Sequence, residues 1–177
     1  MPGCGDIILL ARYNATMNGK LYAAAGQLDD AALRLDRGAF FGSLLGTLNH
    51  LVAADTIWLT RFASHPAQFP ALAPLRGQAA PVSLTASFGD TLAELRAHRT
   101  RLDATIDALA AELAPADLDL PLEYRTMKGQ PFCKRFGGVL QHFFNHQTHH
   151  RGQASTLLFQ AGIDIGVTDL LVLVDDI

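Results

Sequence analysis

The sequence predicts an all-α fold: a four-helix bundle with long connections and a small β-hairpin before the last long helix. Four long stretches repeat apolar residues at the helical period, a proline-rich gap separates the second from the third, and one short segment alternates about a glycine turn. The chain has 177 residues and is 49% apolar, enough to bury roughly 70% of its unfolded surface around one core. One domain, 1–177, is expected.

Residues 6–27 carry the first stripe, at Ile7, Leu10, Asn14, Met17, Leu21, Ala24 and Leu28, with alanine filling suited to close helix packing. A polar, turn-prone stretch over 28–38 leads to the second stripe, Phe41, Leu44, Leu48, Leu51, Asp55, Trp58 and Phe62. Residues 64–82 hold Pro66, Pro70, Pro74 and Pro81 and read as loop, after which Ser83 can cap the third helix. Its seam is Phe88, Leu92, Leu95, Arg99, Leu102, Ile106, Leu109 and Leu113, and Pro115 ends it. Leu122 to Arg135 alternates around Lys128-Gly129 as a hairpin, and the fourth helix runs from about Phe136 to Gly162, its C-cap. A second apolar strip on that helix, Leu140, Phe144 and Leu158 with Arg151 among them, suits either a dimer contact or packing under the hairpin or tail.

Composition argues against several functions. The net charge is −3 with no Lys/Arg block, which offers no electrostatic footprint for nucleic acid. Two cysteines, Cys4 and Cys133, stand outside any C-x-x-C spacing, against a disulfide framework or a cysteine zinc site. The start Met-Pro-Gly-Cys-Gly-Asp lacks the marks of a secretory leader, and no apolar run reaches about 18 residues. A soluble cytoplasmic protein without membrane or nucleic-acid partners is the expectation.

The chemistry concentrates in the fourth helix, where His142, His146, His149 and His150 fall within nine residues. With His142 at zero on a helical wheel, the core residues Phe136, Val139, Phe143, Ala154, Leu157 and Ala161 lie between about 60° and 120°. His146 and His150 lie at about 40° and 80°, inside that stripe, whereas His142 and His149 flank it. Two inward imidazoles need hydrogen-bond partners or a metal, and residues four apart can grip one ion together. The zincin signature also spaces two histidines by four but needs a glutamate after the first; here that residue is Gln147, whose amide cannot serve as a base.

Catalytic zinc commonly keeps three protein ligands and one open position. His50 on the second helix has Gly46 and Ala54 as its four-apart neighbours, leaving space around the ring, while His98 sits beside the cationic Arg99. His50 is therefore the chosen third ligand. A metal-free alternative treats all the inward histidines as hydrogen-bonded core groups.

The runs Asn49-His50-Leu-Val-Ala-Ala-Asp55-Thr-Ile-Trp58-Leu-Thr-Arg61 and Asn145-His146-Gln-Thr-His149-His150-Arg151-Gly152-Gln153, with Ala11-Arg12-Tyr13-Asn14, resemble the DinB/YfiT-like family of bacterial metalloenzymes over nearly the whole chain. The resemblance implies a four-helix bundle, often a homodimer, holding a divalent metal, zinc or nickel, on three histidines. By position these are His50, His146 and His150. It also suggests a small-molecule substrate and thiol-dependent transfer with a low-molecular-weight thiol, or hydrolysis; the alternative is a non-catalytic metal-binding stress-response protein. By the same family-like placement, Glu123 and Tyr124 on the hairpin close over the site.

Other polar residues interrupt the seams. Asp55 and Arg99 form either a buried ion pair that fixes helix register or a functional pair, Asp55 accepting from a ligand histidine and Arg99 clamping a carboxylate substrate. Gln153 and His149 lie at the rim of the site, and His142 and His149 are candidates for substrate-side acid or base groups. Arg151, about 100° from His150, is expected to face outward or toward a dimer partner.

Overall fold

A computed structural model describes residues 3–79, 81 and 83–176. Met1, Pro2, Ala80, Val82 and Ile177 lie outside the described residues, so the expectations for the N-terminal start and the 64–82 loop are met by structure only in part. The helices are α1 (Cys4–Ala25), α2 (Asp30–Arg34), α3 (Leu44–Phe62), α4 (Leu92–Glu112) and α5 (Phe136–Gln160), with β1 (Pro121–Arg125) and β2 (Pro131–Arg135) before the last. α1 packs on α4 and α5, and α3 packs on the same two helices. The strands pair antiparallel, Leu122 opposite Lys134 and Tyr124 opposite Phe132. Their turn closes where the Gly129 amide donates to the Thr126 carbonyl at 2.9 Å, and Gly129 takes φ +78°, a conformation open to glycine at little cost. β2 runs straight into α5, tied by a 2.9 Å bond from the Phe136 amide to the Leu120 carbonyl.

Two apolar clusters form the core. One, toward the hairpin, gathers Ile7, Leu59, Phe62, Leu109, Phe136 and Phe143, with the Phe62 ring edge-on to Phe136 at 5.3 Å and to Phe143 at 5.4 Å. The other gathers Leu21, Leu48, Leu51, Leu95, Leu157 and Leu158. Each buried leucine or phenylalanine contributes about 1.5–3 kcal/mol over its exposed state.

Between the clusters in sequence, every long helix carries buried polar residues. Arg99 pairs with Asp55 and, at 2.9 Å, with Asp103. Gln147 donates to Asp55 at 2.9 Å, and Asn14 and Asn18 donate to Asp103 at 3.1 and 2.9 Å. Burial raises the pKa of both carboxylates, and the Arg99 cation opposes it. Burial works against the Arg99 charge as well, but Asp55 and Asp103 together raise its pKa.

The helices depart from the sequence reading at several points. α4 begins at Leu92, not after Ser83: the Thr91 hydroxyl accepts from the Glu94 amide at 3.2 Å and the Glu94 carboxylate accepts from the Thr91 amide at 3.0 Å, a reciprocal cap that Ser83 cannot match with Ala86 three residues on. Within the stretch read as turn, Asp29 caps the short α2 by accepting from the Ala32 amide at 2.7 Å. Arg151 is only 7% exposed, its guanidinium donating to the Asn14 side-chain carbonyl and to the Thr148 hydroxyl at 3.1 Å. Because α5 packs on both α1 and α3, Leu140, Phe144 and Leu158 are covered within the chain and offer no strip for a dimer.

His65, which no periodicity marked, is fully buried after α3, its ring 4.3 Å from Phe136 and 5.0 Å from Phe69. Burial lowers its pKa, and Nε2 has no hydrogen-bond partner among the described residues. An unfolded histidine titrates near about 6.5, so below that pH the unfolded chain binds the extra proton and this contribution to stability is lost as pH falls. We expect His65→Phe to flatten the decline of the urea midpoint between pH 7.5 and 5.5; an unchanged slope would refute the assignment.

Candidate metal centre

Three imidazoles from two helices converge at the level where α3 meets α5. The Nε2 atom of His150 lies 3.2 Å from Nε2 of His50 and 3.1 Å from Nε2 of His146, and one ligand atom from each of the three falls within 4.8 Å of the others. His50 and His150 are buried and His146 half-buried. The helical wheel thus picked two of the three rings that the fold brings together, and the choice of His50 over His98 supplied the third. His98 packs instead near Phe88, at 5.6 Å, and His142 and His149 are exposed at the margin.

The far side of two of the rings bears on where their protons sit. Nδ1 of His50 lies 3.1 Å from the Leu84 carbonyl, which can only accept, so the proton is on Nδ1 and Nε2 presents a lone pair. Asn49 places that carbonyl: its side chain donates to the Ala86 carbonyl at 2.7 Å and accepts from the Phe88 amide at 2.8 Å, pinning the segment before α4. Nδ1 of His150 donates to the Gln153 side-chain carbonyl at 2.7 Å, and the Gln153 amide group donates to Nε2 of His149 at 3.3 Å. The glutamine orientation satisfies both neighbours at once.

With both protons on Nδ1, two lone pairs face each other across 3.2 Å, an arrangement that a cation between the nitrogens would relieve. Nitrogens each about 2.0–2.1 Å from a tetrahedral ion sit about 3.3 Å apart, close to the spacing of these pairs. Burial lowers the pKa of all three rings; bonds to Leu84 and Gln153 oppose it at His50 and His150, while neighbouring imidazoles push His146 further, to about 3. The rings are neutral near pH 7, the form a metal requires.

Phe41 stacks on His50 with centroids 3.8 Å apart and planes 17° from parallel. The space that Gly46 was expected to leave around the histidine is filled by this residue's backbone, since a Cβ at 46 would stand 2.3 Å from the Phe41 carbonyl oxygen. Asp55 accepts from Arg99 and Gln147 and reaches no ligand histidine, so the structure realises its ion-pair reading. Arg99 is likewise enclosed, 3% exposed and paired with Asp55 and Asp103, which favours its ion-pair reading over a substrate clamp.

A cleft of about 410 Å³ opens beside His146, lined by Trp58, Arg61, Tyr124, Lys128 and His142 among others. Strand alternation turns Tyr124 into it and Glu123 away, so only one of the two hairpin residues expected over the site is there.

The chain is mostly helical and carries, beside an open cleft, a three-histidine cluster on facing helices that could hold a metal ion. The chain matches the model of the DinB family over residues 2–175 and belongs to that family. No curated protein and no solved structure matches it. Among the described residues no helix is long and apolar enough to cross a membrane.

Proposed function

We propose that the four long helices form one bundle domain in which Nε2 of His50, His146 and His150 hold a single divalent cation, zinc or nickel, and that the protein is a metal-dependent enzyme acting on a small molecule. The observation that carries this is the meeting of three imidazole nitrogens, with the Nδ1 sides of His50 and His150 occupied by acceptors. Such an ion polarises a substrate oxygen or lowers the pKa of a water or thiol brought to it. A closed structural site would have no use for an approach; the cleft beside His146 supports a catalytic reading over an ion held for stability alone.

The chain's own residues divide the remaining work. Leu84 and Gln153 orient two of the rings, Phe41 keeps water from the back of His50, and Trp58 and Tyr124 supply apolar walls to the approach. His142, its ring 6.1 Å from that of His146, is the side chain we assign to a substrate-side acid or base role. Transfer to or from a low-molecular-weight thiol is the first chemistry to try and hydrolysis the second. Homodimerisation belongs to the same proposal, with the exposed Leu171 and Val172 as apolar surface for it.

Elemental analysis of protein purified without a metal-affinity tag tests the centre. About one zinc or nickel per chain is expected, and none after His50→Ala, His146→Ala or His150→Ala. Metal content far below stoichiometric in the parent, or unchanged in the variants, sinks the proposal. A screen of thiols against small electrophiles, run with and without chelator, then tests catalysis.

A further inference from the structure

The cleft beside the histidines continues into a second one, about 570 Å³, that shares Trp58, Tyr124 and His142 with it and adds Lys134 and Arg135. Together the two are lined by Arg61, Lys128, Lys134 and Arg135 and by no carboxylate, although the chain as a whole carries a net charge of −3. Among the described residues, Arg135 alone of these four has an acidic partner, Asp119 at 3.6 Å on the exposed side.

Arg61 is the distinctive member. Half-buried on α3, it forms no ion pair and no side-chain hydrogen bond among the described residues; its guanidinium instead lies over Trp58 at 4.7 Å and Tyr124 at 5.2 Å. Burial without a counter-ion lowers its pKa. A planar fork of donors held flat by two aromatic rings, with its hydrogen-bonding edge unused, is matched to a carboxylate. The rings then lead back to the histidines: Trp58 to His142 is 5.3 Å and His142 to His146 is 6.1 Å between centroids.

We propose that this cleft selects an organic anion, a carboxylate attached to a planar apolar body, with Arg61 binding the carboxylate, Trp58 and Tyr124 stacking on the body, and the reacting end directed toward His146. The proposal deepens the metal-centre reading, on which the direction of the reacting end rests. Arg61 takes the role that sequence reasoning gave to Arg99. Arg61 and the histidine of α3, His50, are eleven residues apart, about 16 Å of helix axis. The arginine side chain leans back along the helix toward Trp58, which shortens that span.

Trp58 is the chain's only tryptophan, so intrinsic fluorescence reads this cleft directly. Phenylacetate, 3-phenylpropanoate and 4-phenylbutanoate, each beside its neutral primary amide, are titrated into the protein as purified, with metal content measured on the same samples. At least one acid is expected to give a saturable change and to bind about tenfold tighter than its amide, a preference weakened by added salt. Arg61→Gln should bring acid and amide to equal affinity, Arg61→Lys should keep part of the preference, and Arg96→Gln, exposed on α4 away from the cleft, should keep all of it. No saturable response to any acid, equal binding of acid and amide by the parent, or an intact preference in Arg61→Gln overturns the proposal. One ion per chain with no acid preference overturns it alone and leaves the metal centre standing. Acid preference in a chain that holds no ion supports the anion site and removes the metal centre.

Discussion

Arg99→Met should cost the fold about 3–5 kcal/mol at neutral pH, because it leaves buried carboxylates without their cation. Asp55 is fully buried and would keep only the Gln147 amide, while Asp103 would keep Asn14 and Asn18. Against a typical total of about 5–15 kcal/mol, that loss lowers the melting temperature by about 10 °C or more. It also carries a pH signature. Burial already raises the Asp55 pKa and Arg99 opposes the rise, so removing Arg99 lifts the folded value further above the ~3.9 of an unfolded aspartate. Above that unfolded value the folded chain holds a proton that the unfolded chain has released, so the variant loses stability as pH climbs and recovers it on acidification. Melting curves from pH 4.5 to 8 read both effects. A variant that melts within about 2 °C of the parent at pH 7.5, or whose deficit is the same at every pH, contradicts the assignment.

The same polar residues show where the sequence was legible. Asp55 and Arg99 interrupt otherwise apolar seams, and a charge in a seam must find its opposite, so their pairing could be read before any contact was known. Two of the three histidines were legible for a related reason, since helical phase alone sorts His146 and His150 inward and His142 and His149 to the flank, whereas His50 was chosen against His98 on its neighbours. Phase failed at Arg151 because a helix with two neighbours buries two strips, and a wheel drawn around one of them consigns the other to solvent. The matching signal was present in Asn14, a polar interruption of α1 with no assigned partner, which proves to be the acceptor for Arg151. The start of α4 was also written in the chain, as Thr91 followed three residues later by Glu94, and an isolated serine at 83 outweighed it. His65, Leu84 and Arg61 left no local trace. The first sits in a loop, the second acts through its backbone, and the third acquires meaning only where the hairpin and α3 close over it.

Graded loss of metal affinity distinguishes a centre supported by its surroundings from three histidines that merely meet. His150→Ala removes the nitrogen that lies within 3.2 Å of both other ligand atoms, and affinity should fall by more than about a hundredfold, beyond the range typical of losing an outer hydrogen bond. Gln153→Ala leaves all three nitrogens in place but takes the acceptor from Nδ1 of His150. That ring is then free to carry its proton on Nε2, where it blocks ligation, and a loss of about 10–100-fold is expected. His149→Ala only removes the group that steadies the Gln153 amide at 3.3 Å, so its effect should be the smallest, under about fivefold. Competition with a chromophoric chelator at fixed pH measures all three on one scale. The order itself is the test: a Gln153 variant as tight as the parent would mean that the hydrogen bond does not set the tautomer. A His150 variant no weaker than the Gln153 variant would mean that His150 is not a ligand.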